Sequence, residues 1–163
     1  MSKRTAICPG SYDPVTNGHL DIIGRAARIF DKVIVGVVNQ PLRKQKTLFT
    51  AEERAGFIER ATTDMPNVEA MVFSTLLVDF AREHGATTIV KGLRAISDFE
   101  YEFEMNQLNR KLAPEIESAY VMASSEYSFL SSTGVKELAT FGGDVGDLVP
   151  AEVAVALSER VAR

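Results

Sequence analysis

Apolar residues alternate along this chain between short unbroken runs and helically spaced stripes. Residues 4–8 form the first run. Val33-Ile34-Val35-Gly36-Val37-Val38 forms the second, rich in β-branched residues. Runs of this kind predict strands buried on both faces, as in a parallel sheet covered by helices. Residues 68–73, 87–90 and 119–122 read as three further strands. Between them, Leu20, Ile22, Ile23, Ala26, Ala27 and Phe30 recur at helical spacing. Thr50-Ala51-Glu52-Glu53 has the form of a capping box and predicts a helix running to about Thr63. Leu76, Leu77, Phe80 and Ala81 predict a helix that stops at Gly85.

Ser97-Asp98-Phe99-Glu100 reads as a second capping box, opening a helix that ends before Pro114. That helix carries two apolar stripes, one of Tyr101, Met105, Leu108 and Leu112 and one of Phe99 and Phe103. Two readings stand: cover by its own sheet and by another subunit, or deep burial within one chain. A helix from about Ser132 to Thr140 ends at Gly142-Gly143, and a last helix follows Pro150. The alternation is that of an open parallel sheet with helices on both faces. No repeat or linker interrupts it, and 163 residues suit a single domain spanning 1–163.

Composition narrows the function classes. Net charge is −4, which argues against nucleic acid or an anionic membrane as the main partner. Cys8 is the only cysteine and lies in an apolar run, so it reads as a small buried hydrophobe. Lys3-Arg4 is followed by only a few apolar residues before Pro9, so no signal peptide is expected. No run reaches the ~20 apolar residues of a membrane helix, and a cytoplasmic protein is expected.

In an open parallel sheet, ligands gather beyond the carboxyl ends of the strands. Ser11, Tyr12, Thr16 and His19 follow the first strand, where a tight turn meets a helix start suited to an anion. Arg43, Lys44 and Lys46 follow the second. Lys91-Gly92-Leu93-Arg94 reads as a loop after the fourth, with Glu102 beyond. Tyr127, Ser128, Phe129, Leu130, Ser131, Ser132 and Thr133 follow the fifth, with Lys136 one turn on. Cations, hydroxyls and helix N-termini at one edge make a polyphosphate site by content. Singly, each piece is ordinary: a capping histidine, solvated loop cations, an N-cap serine.

Thr16-Asn17-Gly18-His19 has the T-x-G-H form of nucleotidyltransferases, and Ser131 to Lys136 is close to the S-S-x-x-x-K form of the same superfamily. Pro9 to His19, Lys91 to Arg94, Asp98 to Glu102 and Tyr127 to Ser132 together resemble bacterial phosphopantetheine adenylyltransferases, over about Lys3 to Leu157. The resemblance implies a single-domain α/β fold, a Rossmann-like open parallel five-stranded sheet with C-terminal helices. It implies transfer of AMP from ATP to 4′-phosphopantetheine, giving dephospho-coenzyme A and pyrophosphate with Mg²⁺, the penultimate step of coenzyme A biosynthesis. The attack would be direct and in line, without a covalent intermediate. A homohexamer, with coenzyme A as feedback inhibitor, is the family's habit.

By the same resemblance, Ser11 and Tyr12 touch both substrates and His19 contacts the ATP phosphates and stabilises the transition state. Gly92, Leu93, Arg94, Glu102 and residues 127–133 hold ATP, while Leu77 and Lys91 lie on the phosphopantetheine side. The family usually has Thr in place of Ser11 and often Arg in place of Lys91. Its catalytic lysine falls shortly after the proline matching Pro41, where this chain has Arg43 in a lengthened loop. Ungapped matching points to Arg43, and a gap ahead of it points to Lys44. Arg43, Lys44 or Lys46 could supply the cation that meets the acceptor phosphate.

Overall fold

The computed structural model describes residues 3–42 and 46–162. Arg43 and Lys44, both expected site residues, lie outside the described residues. Five strands, β1 (Thr5–Gly10), β2 (Lys32–Val38), β3 (Val68–Phe73), β4 (Thr88–Leu93) and β5 (Glu117–Met122), form one all-parallel sheet in the order β3-β2-β1-β4-β5. Six helices connect or follow them: α1 (Asn17–Ile29), α2 (Ala51–Ala61), α3 (Leu77–Glu83), α4 (Ile96–Leu112), α5 (Ser132–Thr140) and α6 (Ala151–Val161).

Strand alternation sends successive side chains to opposite faces. Ala6, Cys8, Val33, Val35, Val37 and Val90 face one core, closed by Ile23 of α1, Ile58 of α2, Val135 of α5 and Leu157 of α6. Ile7, Ile34 and Ile89 face the other, closed by Val78 and Phe80 of α3 with Ala113 and Ile116. β1 therefore sits at the centre, and the chain reverses its direction of travel between β1 and β4. That reversal marks the crevice where an open α/β sheet takes its ligand.

The β1–β4 ladder is short. Ala6 pairs with Thr88 and Ile7 with Ile89, and pairing goes no further, whereas β1 pairs with β2 along its whole length, from Thr5↔Lys32 to Gly10↔Val37. The carboxyl ends of β1 and β4 thus lie beyond the last shared rung.

Several local expectations hold. Thr50 and Glu53 form a reciprocal capping box at α2. Gly85 takes φ +64 at the end of α3, its amide bonding Arg82 O while Ala86 N bonds Ala81 O, a Schellman ending. Two expectations are corrected. Lys91, Gly92 and Leu93 belong to β4, in register with Tyr120, Val121 and Met122, rather than to a loop. The box at Ser97–Glu100 does not form. α4 starts at Ile96 with Ala95 as an uncapped N-cap, so Ser97 already lies inside the helix, and the Asp98 carboxylate accepts from the Arg94 backbone N–H and Nε. Deep burial of α4 within one chain is also excluded: none of its residues is buried, and Phe99, Phe103, Leu108 and Leu112 are each about half exposed.

Candidate active site

β1 leaves the sheet through a turn of unusual shape. Tyr12 adopts φ +48, a left-handed conformation rare for a bulky residue. Its ring is buried, its hydroxyl donates to Cys8 O at 2.9 Å, and its ring carbons lie so close to Gly10 that an added Cβ would approach them to 3.0 Å. A side chain at position 10 would therefore have to push the Tyr12 ring by a few tenths of an ångström. Ser11 stands half-buried at the crest.

The T-x-G-H motif is a helix cap. Thr16 is the N-cap of α1 and His19 its third residue, and the two cap each other. His19 N donates to Thr16 Oγ1 at 3.3 Å, and Thr16 N donates to His19 Nδ1 at 2.9 Å. An amide can only donate, so Nδ1 must accept, and a neutral ring carries its proton on Nε2. The motif thus sets tautomer and orientation together. The Tyr12 ring meets the His19 ring edge-on, centroids 5.0 Å apart.

Across the split, Lys91 at the end of β4 pairs with Glu102 of α4 at 2.7 Å, both largely shielded from solvent. Tyr120 of β5 donates its hydroxyl to the Glu102 backbone carbonyl at 3.2 Å. Gly92 lies against Ile22 of α1, where a Cβ would meet it at 2.9 Å. Arg94 is held by Asp98 and by Leu130 O, to which Nη1 donates at 2.7 Å.

The 127–133 loop closes over the start of α1, with Tyr127 and Leu130 at Gly18. Ser128 donates to Ser125 O, Phe129 is exposed and Thr133 is exposed. Ser131 is the N-cap of α5, accepting from Gly134 N. Ser132 donates to Pro14 O at 2.8 Å. The start of α1 and the 127–133 loop meet at Gly18, and Arg94 joins them through Leu130 O, while Lys91, two residues beyond Ile89, lies on the other face of β4 and pairs with Glu102. Leu77, at the first turn of α3, packs on the face of the sheet to which Ile89 and Lys91 belong, opposite the face covered by α1. Lys46 is exposed just ahead of α2.

Two buried charges were not marked as site residues by sequence. Asp13 has no exposed surface, and it accepts from Leu48 N, Phe49 N and Lys136 Nζ. Burial pushes its pKa up, but the Leu48 amide, Lys136 and the Phe49 amide outweigh that and hold the carboxyl below its ordinary value. Lys136, expected among the phosphate-facing cations, is occupied by Asp13. Arg54 is likewise fully buried. Burial lowers its pKa from the ordinary guanidinium value, opposed by the charges of Asp13 and Glu52. A signal existed for Arg54: it shares the apolar face of α2 with Ala51, Ala55 and Ile58, an unusual place for a charge.

Residues 7–138 match the cytidylyltransferase-like family. The chain is 59% identical over 145 residues to the phosphopantetheine adenylyltransferase of Rubrobacter xylanophilus, covering 89% of this chain and 87% of that one. It is 54% identical over 148 residues to the phosphopantetheine adenylyltransferase of Clostridium tetani, covering 91% of each. The chain belongs to the phosphopantetheine adenylyltransferase family. Its fold is shared more widely: a bifunctional NMN adenylyltransferase/ADP ribose pyrophosphatase from Francisella tularensis superposes with TM-score 0.73 at 16% identity, over 99% of this chain and 51% of that one. This chain thus spans about half of that protein, and the likeness speaks to architecture alone. Within the phosphopantetheine adenylyltransferase family, the T-x-G-H turn and the Lys91–Arg94 segment are here the two lips of the split between β1 and β4.

Proposed function

We propose that this chain transfers the adenylyl group of ATP to 4′-phosphopantetheine, releasing pyrophosphate and dephospho-coenzyme A. The observation that carries the reading is that His19, capped at the start of α1 just after β1, and the Lys91–Arg94 segment at the end of β4 follow two adjacent strands whose ladder stops at Ile7 and Ile89. An oxygen of the acceptor phosphate attacks the α-phosphorus in line. A new P–O bond forms as the bond to the bridging oxygen of the β-phosphate breaks, and pyrophosphate leaves with the electron pair.

The nucleophile is already anionic, so the site needs no general base. Its task is to hold two anions together and to spread charge as the phosphorus becomes five-coordinate. His19 donates from Nε2 to the ATP phosphates. Ser11 and Tyr12 sit between the two substrates, Tyr12 through its backbone, since its side chain is buried against Cys8 and Gly10. Gly92, Leu93, Arg94, Glu102 and residues 127–133 hold the nucleotide. Lys91 and Leu77, with Arg43 or Lys44, serve the acceptor.

Mg²⁺ bound to the ATP phosphates would supply charge screening beside His19 and Arg94. A cytoplasmic homohexamer regulated by coenzyme A completes the reading. It is supported by the half-exposed Phe99–Phe103 ring pair on α4 and by the lack, among the described residues, of a helix able to cross a membrane.

The test is pyrophosphate release by the purified protein. Release is expected only when ATP, Mg²⁺ and 4′-phosphopantetheine are all present, with nicotinamide mononucleotide and glycerol phosphate far poorer acceptors. Folded protein that is silent with the complete mixture overturns the reading.

A further inference from the structure

Among the described residues, every hydrogen bond from the Arg54 guanidinium ends on a backbone carbonyl. Nε donates to Phe49 O and Thr50 O, each at 3.2 Å. Nη1 donates to Ser11 O at 2.6 Å and to Val38 O at 2.8 Å, and Nη2 donates to Asn39 O at 2.8 Å. These carbonyls belong to three separate pieces of chain: the turn after β1, the exit of β2 and the entry to α2.

Asp13 does the complementary work. It accepts the amides of Leu48 and Phe49, so residues 48–50 are gripped by a carboxylate on their N–H groups and by a guanidinium on their carbonyls. A fully buried charge is costly, and an apolar side chain often supports a core as well. What an apolar side chain cannot do is hold several carbonyls in fixed relation. A planar fan of donors can.

We propose that Arg54 is a positioning residue for adenylyl transfer: through its bond to the Ser11 carbonyl it fixes the substrate turn after β1 against the exit of β2 and the entry to α2, with Asp13 as its counterpart. The inference rests on the functional reading above, in which Ser11 lies between the two substrates. Reaction between two phosphates depends on alignment, so a turn released from its hub lowers turnover more than it weakens binding. Lysine at this position keeps the charge but concentrates its donors on one atom, which cannot span three segments.

The experiment compares wild type, Arg54→Lys and Asp13→Asn by circular dichroism, thermal melting and steady-state pyrophosphate release with ATP and 4′-phosphopantetheine varied separately. Arg54→Lys is expected to keep the wild-type spectrum while kcat falls on the order of a hundredfold and each KM stays within about a factor of three. Asp13→Asn is expected to show the same split to a smaller degree, because its remaining oxygen still accepts from residues 48–49. Wild-type kcat in folded Arg54→Lys overturns the proposal, as does a loss confined to KM. If Arg54→Lys does not fold, folded Asp13→Asn decides by the same criteria, and failure of both to fold assigns the pair to stability alone and also overturns it. A silent wild type is a different result: it fails the functional reading itself and removes this inference with it.

Discussion

Lys136 Nζ lies 2.9 Å from Oδ2 of Asp13, a carboxylate with no exposed surface, joining α5 to the turn after β1. Together with the Ser132 hydroxyl on Pro14 O, this pair fastens the nucleotide loop to the strand it faces. Removing the cation leaves a buried carboxylate served only by two amides. Lys136→Met is expected to destabilise the fold by about 3 kcal/mol at neutral pH, the low end for a broken buried pair, because those amides remain. Urea unfolding measures it, and a loss near zero contradicts the assignment.

The same carboxylate predicts an acid dependence. Its folded pKa is lowered from the ordinary value, so its stabilising contribution is fully present above the unfolded value of about 3.9 and is lost as pH falls through the folded one. The stability gap between wild type and Asp13→Asn should therefore be constant near neutrality and shrink below about pH 4. Urea midpoints of both proteins from pH 7 to pH 3 test this, and a gap that widens in acid contradicts it.

His19 has two separable jobs. As a cap it accepts from the Thr16 amide, and as a donor it presents Nε2–H. His19→Ala is expected to lower kcat by about 10²–10³, near the loss for one oxyanion donor, while costing only about 0.5–2 kcal/mol of stability as a lost cap. Kinetics and melting of the one variant read both effects. Equal turnover by His19→Ala would leave the ring with the capping role alone.

Cys8 should be silent to thiol reagents. It is buried in β1, and burial pushes its thiol pKa up to about 12, so little thiolate exists at neutral pH and a reagent cannot reach it. Iodoacetamide followed by mass measurement should show modification after denaturation and none in the native protein.

α4 gives a prediction about assembly. Phe99 and Phe103 stack with centroids 6.1 Å apart on a surface about half exposed. Phe103→Glu is expected to shift the sedimenting species to smaller size if that surface is shared between copies. A wild-type protein that sediments as a monomer removes the hexamer.

The sheet and its helices were legible because strand and helix periods depend on neighbours in sequence. Thr50–Glu53 and Gly85 behaved as local chemistry dictates. The cap of α4 did not, because the helix begins ahead of Ser97, at Ile96, which puts Ser97 inside it. The site was legible where a motif is itself a local structure, as in Thr16–His19. Arg54 stood out only as a charge on the apolar face of α2, and its partners could not be read, since its acceptors are backbone carbonyls, which every residue possesses, and the one on Ser11 lies 43 positions away. Nothing in the identity of Ser11, Val38 or Asn39 announces that a guanidinium will be pointed at them. Lys136 misled for a related reason: sequence shows a cation near the edge but not which anion reaches it first.

The early end of the β1–β4 ladder has a mechanical consequence. The β1–β2–β3 half and the β4–β5 half are each stitched along full strand lengths, while the seam between them holds at Ala6–Ile7 and Thr88–Ile89 and then parts. Two repelling anions can be received into a gap left by the hydrogen-bonding pattern, with no domain to swing aside. Of the four strand pairings, the one between β1 and β4 has the fewest rungs, and the crosswise ties of α5 and Arg94 span the seam beyond it.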